Sequence, residues 1–138
     1  MTVEKVDATR ADFDAHFDRL FGASSAEGGK LKLLLFLADR DPSTNLTWCP
    51  DCNVAEPVIY ERLEALQGGG GAVLLRAYVG DKPTWRDPAH PWRADPRFAL
   101  TGVPTLIRWE KGAAAARLGD DEAHLRDKID AVLNAGGN

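Results

Sequence analysis

Apolar positions along the chain follow two periods, which divide it into helices and strands. Phe13, Phe17, Leu20 and Phe21 keep helical spacing, so residues 8–22 form a helix stopped at Gly22. After the polar loop ASSAEGGK, the run LKLLLFLA (Leu31 to Ala38) reads as a strand buried on both faces. A turn-rich loop, Asp39 to Thr47, precedes a second helical pattern. There Val54, Ala55, Val58, Ile59, Leu63 and Leu66 make one stripe. Pro50 suits the first helical position, Pro57 is expected to kink the helix, and Gly68 to Gly71 end it. AVLLRAYV (Ala72 to Val79) is a second buried strand.

Gly80 to Leu100 is proline-rich and reads as a long loop; its near-duplicate PTWRDP and PWRADP lacks any longer period. TLIRWE from Thr105, a Lys111–Gly112 turn and AAAARL suggest a hairpin. Asp120 is placed to cap a last helix carrying Leu125, Ile129, Val132 and Leu133, and TVEKV near the start can add an edge strand. A strand–helix–strand unit followed by a hairpin and helix implies an α/β fold. The expectation is one domain over residues 1–138, with a mixed central sheet and helices on both faces.

Charge and composition narrow the function. A net charge of -4 offers no electrostatic footprint for nucleic acid or an anionic membrane. The polar, acidic start is no secretory signal, and no apolar run reaches the length of a membrane span. The expectation is therefore a soluble cytoplasmic protein, and nothing in the pattern calls for more than a monomer.

The two cysteines, Cys49 and Cys52, lie in LTWCPDCNVAEP, between a buried strand and the first turn of a helix. A structural disulfide suits neither a reducing compartment nor so short a loop. A zinc site needs further ligands, and His16, His90 and His124 show no ligand spacing. A helix N-terminus favours a thiolate at Cys49, the attacking species in disulfide exchange, with Cys52 one turn further in to resolve the mixed disulfide. Asp51 between them is both a favourable first-turn acid and a negative charge opposing ionisation of Cys49.

TWCPDCNVAEPVIYERLEAL, with a proline five residues after the second cysteine, resembles a thioredoxin-fold active site, and TGVPTLIRWEKG resembles the second thioredoxin signature. More narrowly, WCPDC followed by AEP, with VGDKPTWRDP downstream, resembles the Clot branch, also called the thioredoxin domain-containing protein 17 family, over roughly Lys32 to Leu133. The resemblance implies a cytosolic disulfide reductase with no bound cofactor. It implies electrons from NADPH through thioredoxin reductase, and small disulfides such as cystine, or selected protein disulfides, as substrates. It also implies a cis Val103–Pro104 bond facing the cysteines, with Trp48 and Pro50 shaping the site. Leu35 stands where thioredoxins carry a buried aspartate that helps proton transfer at the second cysteine.

A different acceptor is then needed, and Glu56, four residues after Cys52, is a candidate. It reads equally as a core-edge residue. The loops Asp39–Thr47 and Gly80–Phe98 are expected to wall the site. Trp48 can pack over the cysteine pair and form the substrate surface, while Trp85 and Trp92 read as anchors of their loop and Trp109 as a packing residue. Arg86, Arg93 and Arg97 read as solvated loop residues rather than a substrate clamp, and a catalytic His90 is disfavoured. The competing function is a redox-sensitive binding module without turnover.

Overall fold

The computed structural model describes residues 3–22, 30–66 and 71–134. Five strands, β1 (Val3–Ala8), β2 (Leu31–Leu37), β3 (Ala72–Tyr78), β4 (Thr105–Glu110) and β5 (Ala113–Leu118), form one sheet in the order β1-β3-β2-β4-β5. β1, β3 and β2 run parallel, and β4 is antiparallel to both β2 and β5. Apolar alternation is weak in β1, where Val3 and Val6 stand among charged residues, yet the segment does pair at the sheet edge, its Val3 opposite Ala72.

Helices cover both faces. Helix α1 (Phe13–Phe21) sends Phe13 and Phe17 into an aromatic cluster with Phe36, Trp92, Phe98 and Trp109. Helices α2 (Pro50–Ala65) and α5 (Arg126–Asn134) lie together on the other face, joined by a bidentate Arg62–Asp130 pair at 2.8 and 3.1 Å. Leu33 to Leu37 are fully buried, as expected of a strand covered on both sides. Among the described residues no helix is long and apolar enough to cross a membrane.

Several boundaries differ from the pattern. Helix α1 begins at Phe13, because Ala8 ends β1 and Asp12 accepts the Thr9 amide at 2.7 Å in a local turn. The Gly80–Leu100 segment is not a plain loop but holds α3 (Lys82–Arg86) and α4 (Pro91–Ala94), capped by the side chains of Asp81 and His90. Asp120 does not cap the last helix, which starts six residues later and leaves Leu125 outside; the Asp120 carboxylate lies instead against Gly102. The loop 23–29 and Gly68–Gly70 fall outside the described residues.

Helix α2 also turns its face differently. Its buried line is Cys52, Ala55, Glu56, Ile59 and Leu63, while Val54 is 57% exposed and Leu66 lies beyond the last turn. A carboxylate sits inside the line and a valine outside it, which apolar spacing alone inverts. The helix continues past Pro57, whose ring nitrogen removes the hydrogen bond to the Asn53 carbonyl.

Candidate active site

The cysteines lie beyond the C-terminal end of the central strand β2, at the α2 N-terminus and opposite the loop before β4. Cys49 is the N-cap of α2, and its sulfur accepts the Cys52 amide at 3.2 Å. Pro50 follows at the first helical position, where the missing N–H costs no intrahelical bond. The Cys49 thiol donates to the Val103 carbonyl at 3.4 Å. The Val103–Pro104 peptide is cis, so this loop faces the pair as the resemblance implies. Both cysteines are free thiols; Cys52 is fully enclosed and Cys49 nearly so.

Their electrostatics diverge. The hydrogen bond that Cys49 shares with the Cys52 thiol lowers its pKa most, burial opposes this, and the Cys52 amide lowers it further. The Asp51 carboxylate acts in the opposite sense, and the result is a Cys49 pKa of about 7. Cys52 is pushed far above the ordinary thiol range by that same bond and by burial, with the charges of Cys49 and Glu56 adding to the effect. One sulfur is therefore prepared to attack and the other to stay protonated until called on.

Local bonds explain how the segment holds this shape. The Thr47 amide donates to Asn53 Oδ1 at 2.9 Å, Asn53 Nδ2 donates back to the Thr47 carbonyl at 3.0 Å, and the Cys49 amide donates to Thr47 Oγ1 at 3.0 Å. Trp48 is half-buried beside the pair, its Nε1 donating to the Gly80 carbonyl at 3.0 Å. The Gly80 amide in turn donates to Asp39 at 2.9 Å, tying the two loops that flank the site. A cavity of about 420 Å³ lies along the first of these loops, lined by Asp39, Arg40, Asp41, Thr44, Leu46, Thr47 and Trp48. Leu46, 55% exposed, lends it an apolar side chain.

Glu56 is buried and carries an ion pair with Arg40 at 2.7 Å, and it also accepts the Tyr60 hydroxyl. Its hydrogen bonds go to these two residues, while its charge is felt at Cys52 one turn earlier. Leu35 pairs with Arg76, whose side chain reaches Tyr60 of α2, so Leu35 lies on the α2 face with no acid of its own. Other candidates fall outside the site. His90 Nδ1 accepts the Trp92 amide and Nε2 meets the Val79 carbonyl at 2.8 Å, so both ring nitrogens serve the fold. Arg93 lies 3.7 Å from the centre of the Trp85 ring and Arg97 pairs with Asp95. Among the described residues no group of three or more His, Cys, Asp or Glu side chains could hold a metal.

Arg40, Thr47, Asn53 and Tyr60 escaped sequence reasoning. Asn53, a polar residue four positions after Cys49 on the same helix face, was a usable signal; Arg40, sixteen residues from its partner, offered none.

The comparisons agree with this geometry. The model of the thioredoxin domain-containing protein 17-like thioredoxin domain matches residues 11–135. The chain is 80% identical to Thioredoxin-like protein Clot of Oryza sativa subsp. japonica, over 98% of this chain and 99% of that one. It is 50% identical to the Clot protein of Arabidopsis thaliana, over 91% of each. It is 34% identical to thioredoxin domain-containing protein 17 of Homo sapiens, over 67% of this chain and 72% of that one. In fold it is similar to the reduced thioredoxin of Schistosoma mansoni, with a TM-score of 0.54 at 16% identity, over 94% of this chain and 98% of that one. The chain belongs to the thioredoxin domain-containing protein 17-like family and has the thioredoxin fold.

Proposed function

We propose that the protein is a monomeric cytosolic thiol–disulfide reductase. The observation that carries this reading is the unequal pair: a Cys49 of pKa about 7 at a helix N-terminus, hydrogen-bonded to a buried Cys52 held protonated. In the first step the Cys49 thiolate attacks one sulfur of a substrate disulfide, and the other sulfur leaves as a thiolate. Cys52 then gives up its proton and attacks Cys49, which expels the second thiolate and leaves a Cys49–Cys52 disulfide. The dithiol loses two electrons and the substrate gains them. NADPH, through thioredoxin reductase, restores the dithiol.

The substrates are small disulfides of the cystine kind or selected protein disulfides. Val103 offers backbone to an extended substrate and Trp48 an aromatic wall. Asp51 disfavours acidic partners. Glu56 accepts the Cys52 proton. With thioredoxin reductase and cystine, the wild type is expected to consume NADPH, and Cys49→Ser to return the rate to the background without protein. Absence of turnover against every small disulfide tried would favour the binding module instead.

A further inference from the structure

The Glu56 carboxylate belongs to a closed ring of side-chain hydrogen bonds. Arg40 Nη2 donates to Glu56 at 2.7 Å, and Tyr60 O–H donates to the same oxygen. Arg76 Nη1 donates to the Tyr60 oxygen at 3.3 Å, while its Nε and Nη2 hold Asp7 at 2.6 and 3.0 Å. Tyr78 O–H donates to Asp7 at 3.5 Å, and Arg40 Nη2 closes the ring on the Tyr78 oxygen at 3.3 Å. β1, β3, α2 and the loop after β2 all contribute. Exposure falls from Asp7, at 53% of its side chain, to Glu56, at 7%. Lys5 of β1 lies over the Tyr60 ring at 4.6 Å. The charged and titratable groups facing Glu56 are thus Arg40, Tyr60 and Cys52, with Arg76, Tyr78, Asp7 and Lys5 behind them.

Two further facts give this ring a chemical direction. Cys52 is enclosed and Leu35 offers it no base, so its proton needs an acceptor nearby. A cavity of about 200 Å³, lined by Arg40, Leu46, Asn53, Glu56, Pro57 and Tyr60, opens beside the Glu56 carboxylate. We propose that Arg40 and Tyr60 are positioning residues for the resolving step: they hold the Glu56 carboxylate fixed one turn after Cys52, and the groove passes the accepted proton to solvent. The role presupposes the reductase chemistry proposed above.

The physical reason is one of availability. A base must stay within reach of the proton it takes. Donors from an arginine and a tyrosine meet the same Glu56 oxygen and hold the carboxylate in one place. The guanidinium groups keep their own protons, which leaves the groove as the exit. In the step itself the Cys52 proton passes to Glu56, the Cys52 sulfur bonds to that of Cys49, and the bond from Cys49 to the substrate sulfur breaks. The electron pair leaves on the substrate thiolate.

The test separates the two thiolate releases from a symmetrical chromogenic aromatic disulfide. The mixed disulfide is formed in acid, where resolution is slow, and the pH is then jumped to a series of values. Tyr60→Phe and Arg40→Met should each slow the second release by about 10-fold and leave the first unchanged, with Arg40→Lys in between. Glu56→Gln should slow the second release by at least about 100-fold. Tyr60→Phe, nearly isosteric, keeps the test valid if Arg40→Met does not fold. An intact first release with an unslowed second release in Tyr60→Phe would overturn the positioning role alone. Absence of the first release in wild type would overturn the reductase chemistry, and this role with it.

Discussion

At the scale of the residue, the sharpest question is why a carboxylate stands between two thiols. The Asp51 amide lies in the helix N-terminus that favours the Cys49 thiolate, whereas the Asp51 side chain opposes it. Asp51 therefore holds the Cys49 pKa higher than the helix alone would. Two charges about 6 Å apart in a water-like medium interact by roughly 0.7 kcal/mol, or about half a unit of pH. Asp51→Asn should lower the midpoint of the Cys49 thiolate absorbance below about 7 by that order, and added salt should shrink the difference between the two proteins. A midpoint that stays or rises would show that Asp51 does not tune the nucleophile. Cys49, Cys52 and Asp51 were legible in the sequence because their relations are local. The Arg40–Glu56 pair was not, since it joins a loop to a helix and only the fold brings the two together.

At the scale of the element, the strands were read most easily. β2 and β3 are apolar runs broken only by Lys32 and Arg76, because both of their faces are covered, and they pair in parallel. Helices α3 and α4 were missed because four or five residues cannot establish a period. Asp81 and His90, which cap them, stand just ahead of Pro83 and Pro91 in a segment whose prolines mask so short a helix. His90 makes α4 sensitive to acid. Burial lowers its pKa below the ordinary 6.5, more than its bond to the Val79 carbonyl raises it, with Arg10 and Arg93 adding to the fall and Asp87 opposing. The unfolded chain then binds more protons in acid, so stability is present above about pH 6.5 and is lost as pH falls below it. Urea midpoints taken on either side of that pH should fall in acid for wild type and fall less for His90→Asn, which keeps a capping side chain. Equal falls would mean that His90 titrates alike in both states.

At the scale of the whole molecule, the fold gathers the two cysteines and the residues around them beyond the C-terminal end of the central strand. β2 delivers the chain to the cysteines, α2 carries its N-terminal field to Cys49, and the loop before β4 brings Val103 opposite. The order of elements was enough to expect a mixed sheet with helices on both faces. The strand order was not readable, because parallel pairing of β1 with β3 is a relation between segments far apart in the chain, Val3 lying opposite Ala72. Only the resemblance supplied the facing loop, which no local pattern would have joined to the cysteines. The geometry of the pair suits it to two steps, attack by Cys49 and resolution by Cys52. The most direct measurement is the intact mass of wild type and of Cys52→Ser after reaction with one equivalent of cystine. Wild type should emerge two hydrogens lighter with no adduct, and Cys52→Ser should carry a single half-cystine on Cys49. A wild type that retains both thiols, or a Cys52→Ser protein that takes no adduct, would contradict the account.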